Sequence, residues 1–186
     1  YELAIDGCKQ MIWGFFKKIV IADTAASIVD AVYSDISYYN PTALAITTVL
    51  FAFQIYGDFS GYSDIAIGVA KLFGIRLMKN FNIPYFSRNI AEFWKRWHIS
   101  LNKWFINYLY IPLGGSKCGK KRQITNTLLV FAASGLWHGA NWTFIFWGLY
   151  HSLLFIPNII RRQKHETIQN KIISKDLFSI LITFLL

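Results

Sequence analysis

"SGLWHGANWTFIFWGLYH", residues 134–151, decides how this chain is read. It lies in a stretch from Gln123 to Ile160 that holds no Lys, Arg, Asp or Glu. An apolar run of that length reads as membrane-buried. The same run carries His138 in its middle and His151 near its end. It is broken once, at Gly139–Asn141, which divides it into 123–137 and 142–160. Two apolar arms around a short break predict a helical hairpin with "WHGAN" at its tip. The first arm, Gln123 to Trp137, spans about 22 Å at 1.5 Å per residue, short of a bilayer core of about 30 Å. That shortfall puts His138 within the membrane rather than in bulk water.

The composition outside this stretch agrees. The 186 residues are 54% apolar and 18% aromatic, and only 16% are charged. Mean hydropathy is +0.35. A soluble domain carries about a quarter charged residues, so the expected class is an all-α, polytopic membrane protein. The chain starts at Tyr1 without a Met or a secretory signal pattern, and it stops inside the apolar run "LFSILITFLL". Residues 1–186 therefore read as a single membrane domain truncated at both ends.

Net charge is +9, and its placement says more than its size. Basic residues gather in "KCGKKR" (117–122) and in "RRQKHETIQNKIISK" (161–175). Such clusters beside apolar runs face the cytoplasm, which sends the hairpin tip to the opposite side. A nucleic-acid surface is the competing reading, but these cations punctuate apolar runs and do not stripe one face. No nucleic-acid partner is expected, and the lipid bilayer is. Cys8 and Cys118 stand in no metal-ligand spacing and form no disulfide framework.

Upstream, Lys17 and Lys18 interrupt an apolar pattern at 8–32, which predicts a tilted or interfacial helix. Asn40-Pro41 marks a turn and a helix start. The uncharged run 41–57 covers about 25 Å. In "DFSGYSDIAIGVAKLFGI" (58–75), Ser60, Asp64, Gly68 and Lys71 fall near one helical face. Asp64 and Lys71 are costly in a membrane unless paired or wetted, so both are candidates for lining a substrate path. The plainer reading has Asp58 capping a helix and the small residues admitting a close neighbour. From Phe93 onward, one helix is expected to carry Trp97, Leu101, Trp104, Phe105 and Tyr108 within about 80° of Trp94. His98 joins that face, and Lys95, Arg96 and Lys103 lie opposite. This pattern describes an interfacial or re-entrant helix, ended by Pro112-Leu-Gly-Gly115.

Histidine suits general acid/base chemistry because its pKa lies near neutrality. Burial disfavours the imidazolium, so a neutral His138 in a wetted pocket suits deprotonation of an alcohol. No Asp or Glu occurs between Glu92 and Glu166, and no G-x-S-x-G elbow appears. Direct transfer between two bound substrates is thus favoured over a covalent serine intermediate. The plainer reading makes a membrane histidine a helix-packing hydrogen-bonder. That reading is stronger for His151, about 220° from His138 on a continuous helix. His165 is expected to be solvated. A metal held by His98, His138 and a third ligand is the weaker alternative; no metal and no bound cofactor are expected.

Three segments together carry a resemblance. "FQIYGDFSGYSDIAIGVAKLFGI", "NFNIPYFSRNIAEFWKRWHISLNKWFINYLYIPLGG" and "GLWHGANWTFIFWGLYH" resemble the membrane-bound O-acyltransferase (MBOAT) family. Within it they look like the bacterial branch concerned with alginate O-acetylation. The resemblance covers roughly residues 8 to 157. It implies a partial MBOAT helical core in which an acyl donor and an acceptor hydroxyl approach from opposite sides. The essential histidine of the family corresponds to His138 in "GLWHGAN". The second active-site position corresponds to His98 in "RWHISL". Asp64, Lys71, Trp94, Trp97, Trp137 and Asn141 are the substrate-path candidates.

The implied reaction is acyl transfer, of acetyl above all, from acetyl-CoA or another thioester toward a cell-envelope polysaccharide. The implied setting is the bacterial cytoplasmic membrane, with a separate periplasmic or extracellular acetyltransferase as partner. D-alanyl transfer to teichoic acid, whose branch shares "FW..RWH" and "GLWHG", is the nearest alternative. A non-catalytic scaffold or acyl conduit is the alternative of another class.

Overall fold

A computed structural model of the chain describes residues 1–161 and 174–185, with side chains at 1–160 and 176–185. Most of the basic cluster 161–175, His165 included, lies outside the described residues. The regular structure described is all helical. Among the described residues two helices are long and apolar enough to cross a membrane, Pro41–Leu72 and Trp142–Ile160. The chain divides into two units, Tyr1–Asn80 and Phe81–Leu186.

The first unit is built on three helices. α1 (Glu2–Phe15) runs through a π-helical stretch, Phe16–Ala22, into α2 (Asp23–Ser34). α3 (Pro41–Leu72) begins as expected: the Asn40 side chain accepts from Ala43 N at 2.8 Å, with Pro41 in the first turn. It then runs without a break through Gly57 and Asp58. Asp58 therefore caps nothing; its carboxylate pairs with Lys18 at 2.7 Å.

The close neighbour foreseen for the small residues is α1. A Cβ on Gly14 would lie 2.7 Å from Gly61 O, and one on Gly7 would lie 2.7 Å from Gly68 O. Missing side chains let the two backbones touch antiparallel, and packing then replaces a hydrophobic drive that lipid cannot supply.

In the second unit a 3-10 turn, Pro84–Phe86, precedes α4 (Ile90–Arg96), which is capped by the Asn89 side chain on Glu92 N at 2.9 Å. α5 (Ile99–Phe105) continues as a π-helical turn to Tyr110. Gly115, at φ 54°, then closes the turn by donating its N–H to Tyr110 O at 2.9 Å, a conformation that suits glycine.

α6 (Lys120–His138) and α7 (Trp142–Arg161) form the expected hairpin. A Cβ on Gly135 would strike Phe144 O, and one on Gly148 would strike Phe131 O. Lys120 Nζ closes the open end on Ile160 O at 2.9 Å. α8 (Ser174–Leu185) ends the unit.

Two expectations change here. α6 starts at Lys120 and runs 19 residues, about 28 Å, because Lys120–Arg122 join its first turn. The arm is not short, so the depth of His138 does not follow from its length. The single amphipathic helix from Phe93 is also broken. Trp97 is extended at φ −100°, ψ 130°. His98 is left-handed at φ 40°, ψ 58°. The wheel that joined Trp94 and Trp97 to Trp104 does not hold across that break.

Candidate active site

His138 is the last residue of α6, at the hairpin tip. Three aromatic rings surround it: Trp137 and Trp147, each at 5.1 Å between centroids, and Phe144 at 6.2 Å. Its remaining face is exposed within this chain.

His98 sits at the break between α4 and α5, its ring 6.1 Å from that of Trp137. Trp137 thus touches both imidazoles. His98 is half-buried and lies outside both candidate spans. Burial first, and the nearby His138 second, hold its pKa below the ordinary histidine value. A neutral imidazole accepts a proton at one nitrogen and donates from the other. His138 stands close enough to His98 for its charge to act there.

The break that presents His98 is supported on both sides. Asn102 Nδ2 donates to Trp94 O, a carbonyl freed where the helix stops. Asn82 N donates to Arg96 O at 2.9 Å. Before the break, Glu92 accepts from Arg88 N at 2.9 Å and from Arg96 Nη2 at 2.6 Å. Burial would raise the Glu92 pKa, but the Arg88 hydrogen bonds and the Arg96 charge outweigh it and hold the carboxyl below its usual range.

The predicted tryptophans separate. Trp97 packs against Phe81 and Phe93, at 5.0 and 5.6 Å. Trp94 turns to Phe131 and Trp147, at 5.4 and 5.7 Å. Trp104 meets its chain neighbours Phe105, edge to face, and Tyr108, tilted. Asn141 is exposed and accepts from Thr143 N at 3.1 Å, so it caps α7.

Asp64 and Lys71 belong to the first unit, and each is paired across to α1. Lys17, nearly buried, donates to Asp64 and to Ser60. Lys71 reaches Asp6 at 2.5 Å. Gln10 bridges the two, donating to Asp64 at 3.0 Å and accepting from Lys71 at 2.6 Å. Among the described residues no three His, Cys, Asp or Glu side chains come together to hold a metal.

Lys17, Gln10 and Trp147 were missed by sequence reasoning. A signal existed for Lys17: a lysine and an aspartate in separate apolar helices each need a counter-charge. Trp147 was legible only as the residue four before His151, one turn away on α7. His151 also moves. The 220° separation assumed a continuous helix, whereas the turn at 139–141 folds α7 back on α6. Both imidazoles now meet the ring of Trp147, His138 at 5.1 Å and His151 at 4.7 Å.

Residues 7–184 match the sequence profile of the membrane-bound O-acyltransferase family, nearly the whole chain. The chain belongs to the membrane-bound O-acyltransferase family. Among curated MBOAT relatives, it is 48% identical to the probable alginate O-acetylase AlgI of Azotobacter vinelandii, over 78% of this chain and 29% of that protein. It is 42% identical to the peptidoglycan O-acetyltransferase of Helicobacter pylori, over 92% of this chain and 32% of that one. It is 32% identical to the teichoic acid D-alanyltransferase of Streptococcus thermophilus, over 86% of this chain and 41% of that one. The chain thus spans about a third of the length of the O-acetylating MBOAT relatives it matches.

Proposed function

We propose that this chain is part of a multi-pass bacterial cytoplasmic-membrane O-acyltransferase that moves acetyl groups toward hydroxyls of a cell-envelope polysaccharide. The observation that carries this reading is the pairing of His98 and His138 against the ring of Trp137. In the proposed step, His138 takes the proton of the attacking hydroxyl. The oxygen bonds to the thioester carbonyl carbon, the C–S bond breaks, and the proton passes to the departing thiolate. His98 donates to the carbonyl oxygen as negative charge develops there. The donor is acetyl-CoA or another acyl thioester.

Trp94, Trp97, Trp137 and Asn141 are assigned to a substrate path in the second unit, and Asp64 and Lys71 are assigned separately as path-lining residues of the first unit. The cations of 117–122 mark the cytoplasmic face. α4 and α5, each only seven residues, are assigned as re-entrant or interfacial. A separate periplasmic acetyltransferase is the expected partner for the final transfer.

Acetyl is favoured over D-alanyl because the relatives named for O-acetylation are 42–48% identical, against 32% for the D-alanyltransferase. The test is ester-linked acetate and D-alanine in envelope polysaccharide, with and without the full-length protein. Acetate alone should depend on it. Dependence of D-alanine instead would reverse the substrate assignment, and dependence of neither would favour a scaffold.

A further inference from the structure

His151 makes no side-chain hydrogen bond among the described residues, and its Nδ1 is buried without a partner. Its contacts are ring contacts. The imidazole meets Trp147 at 4.7 Å and 69°, and Trp94 at 5.2 Å and 89°. Trp94 and Trp147 also touch each other, at 5.7 Å and 80°. Three rings therefore brace one another edge to face, the preferred arrangement for aromatic pairs. The Trp147 indole also meets a fourth ring, His138, at 5.1 Å and 79°. The indole of Trp147 thus contacts two imidazoles, one of them the proposed base.

A helix-packing hydrogen-bonder would have its nitrogens engaged. Nδ1 of His151 and Nε1 of the facing Trp94 are both buried without a partner, so the ring contacts carry the argument for this position. We propose that His151 is a positioning residue for His138, acting through the indole of Trp147. This rests on the assignment of His138 as the general base. His151 sets where Trp147 lies, and Trp147 sets where the His138 ring stands relative to the reacting hydroxyl. Displacements of about 1 Å at such a group cost about 10²-fold in rate.

Side-chain shape then predicts which substitution is tolerated. His151 borders a cavity of about 90 Å³ walled by apolar groups that include Ile90, Phe93 and Phe184. That space accepts the slightly larger ring of phenylalanine. His151→Phe keeps the plate against Trp147, and His151→Ala removes it.

The test uses the full-length protein in membranes, with radiolabelled acetyl-CoA as donor and envelope polysaccharide as acceptor, normalised to protein level. A second readout is the rate at which diethyl pyrocarbonate modifies His138, followed by mass spectrometry. His151→Ala should lower kcat by about tenfold to a hundredfold, leave KM for acetyl-CoA within about twofold and speed modification of His138. His151→Phe should resemble the unaltered protein in all three.

Trp147→Leu removes the spacer and should reproduce the kcat loss. Adding His151→Ala to it should cost little more. That arm reads the proposal even if His151→Ala accumulates poorly. Unchanged kcat in His151→Ala, a loss confined to KM, or His151→Phe as damaged as His151→Ala would each overturn it. Full activity in a His138→Ala control would instead refute the base assignment, while the His138 modification rate would still report on the coupling.

Discussion

At His98 the backbone takes φ 40°, ψ 58° in a residue that carries a Cβ. Histidine visits this left-handed region more than most residues, yet it is still uncommon there. Holding such a residue there costs on the order of 1–3 kcal/mol, and these positions cluster at functional sites. Glycine adopts the same angles without steric cost. His98→Gly should therefore leave thermal stability equal or raise it by about 1 kcal/mol, while acetyl transfer falls sharply. Parallel measurement of melting temperature and transfer rate separates the two effects. A variant that loses stability without losing activity would show that the imidazole serves packing and not chemistry.

The ladder between α1 and α3 is the corresponding feature at the scale of elements. Gly7, Gly14, Gly61 and Gly68 bring the backbones together, and that register sets Lys17 beside Asp64. Removing one partner of a buried pair costs about 3–5 kcal/mol, whereas replacing both with apolar groups is often neutral. Lys17→Met should thus strongly destabilise the protein, and Lys17→Met with Asp64→Leu should recover most of the loss. Detergent-resistance or denaturant midpoints of the single and double variants decide this. Additive losses would mean that the two side chains are not coupled.

Some of these elements were legible beforehand and some were not. Asn40-Pro41 announced the start of α3 because capping chemistry is local. Gly139–Asn141 announced the hairpin for the same reason. The break at His98 left no such mark. "FWKRWHISLNKW" contains no glycine or proline, and its helical pattern is continuous. Long-range and cross-break bonds make the break, among them Asn102 to the Trp94 carbonyl and Asn82 to the Arg96 carbonyl. The Lys17–Asp64 pairing was hidden because it depends on which glycine meets which. The plainer reading of Asp58 as a cap fails because α3 runs through it without a break.

For the molecule as a whole, the family and the helical class were carried by long motifs and by composition. The acyl group and acceptor come from relatives and remain the proposal to be tested, and the proposed chemistry converges on His138. The decisive measurement is ester-linked acetate in envelope polysaccharide from cells whose full-length protein carries His138→Ala, normalised to membrane protein level. General acid/base groups contribute about 10²–10⁴-fold, whereas a packing hydrogen bond in a membrane averages roughly 0.6 kcal/mol. The account predicts near-normal protein abundance with acetate reduced to background. Normal acetate with His138→Ala would contradict it.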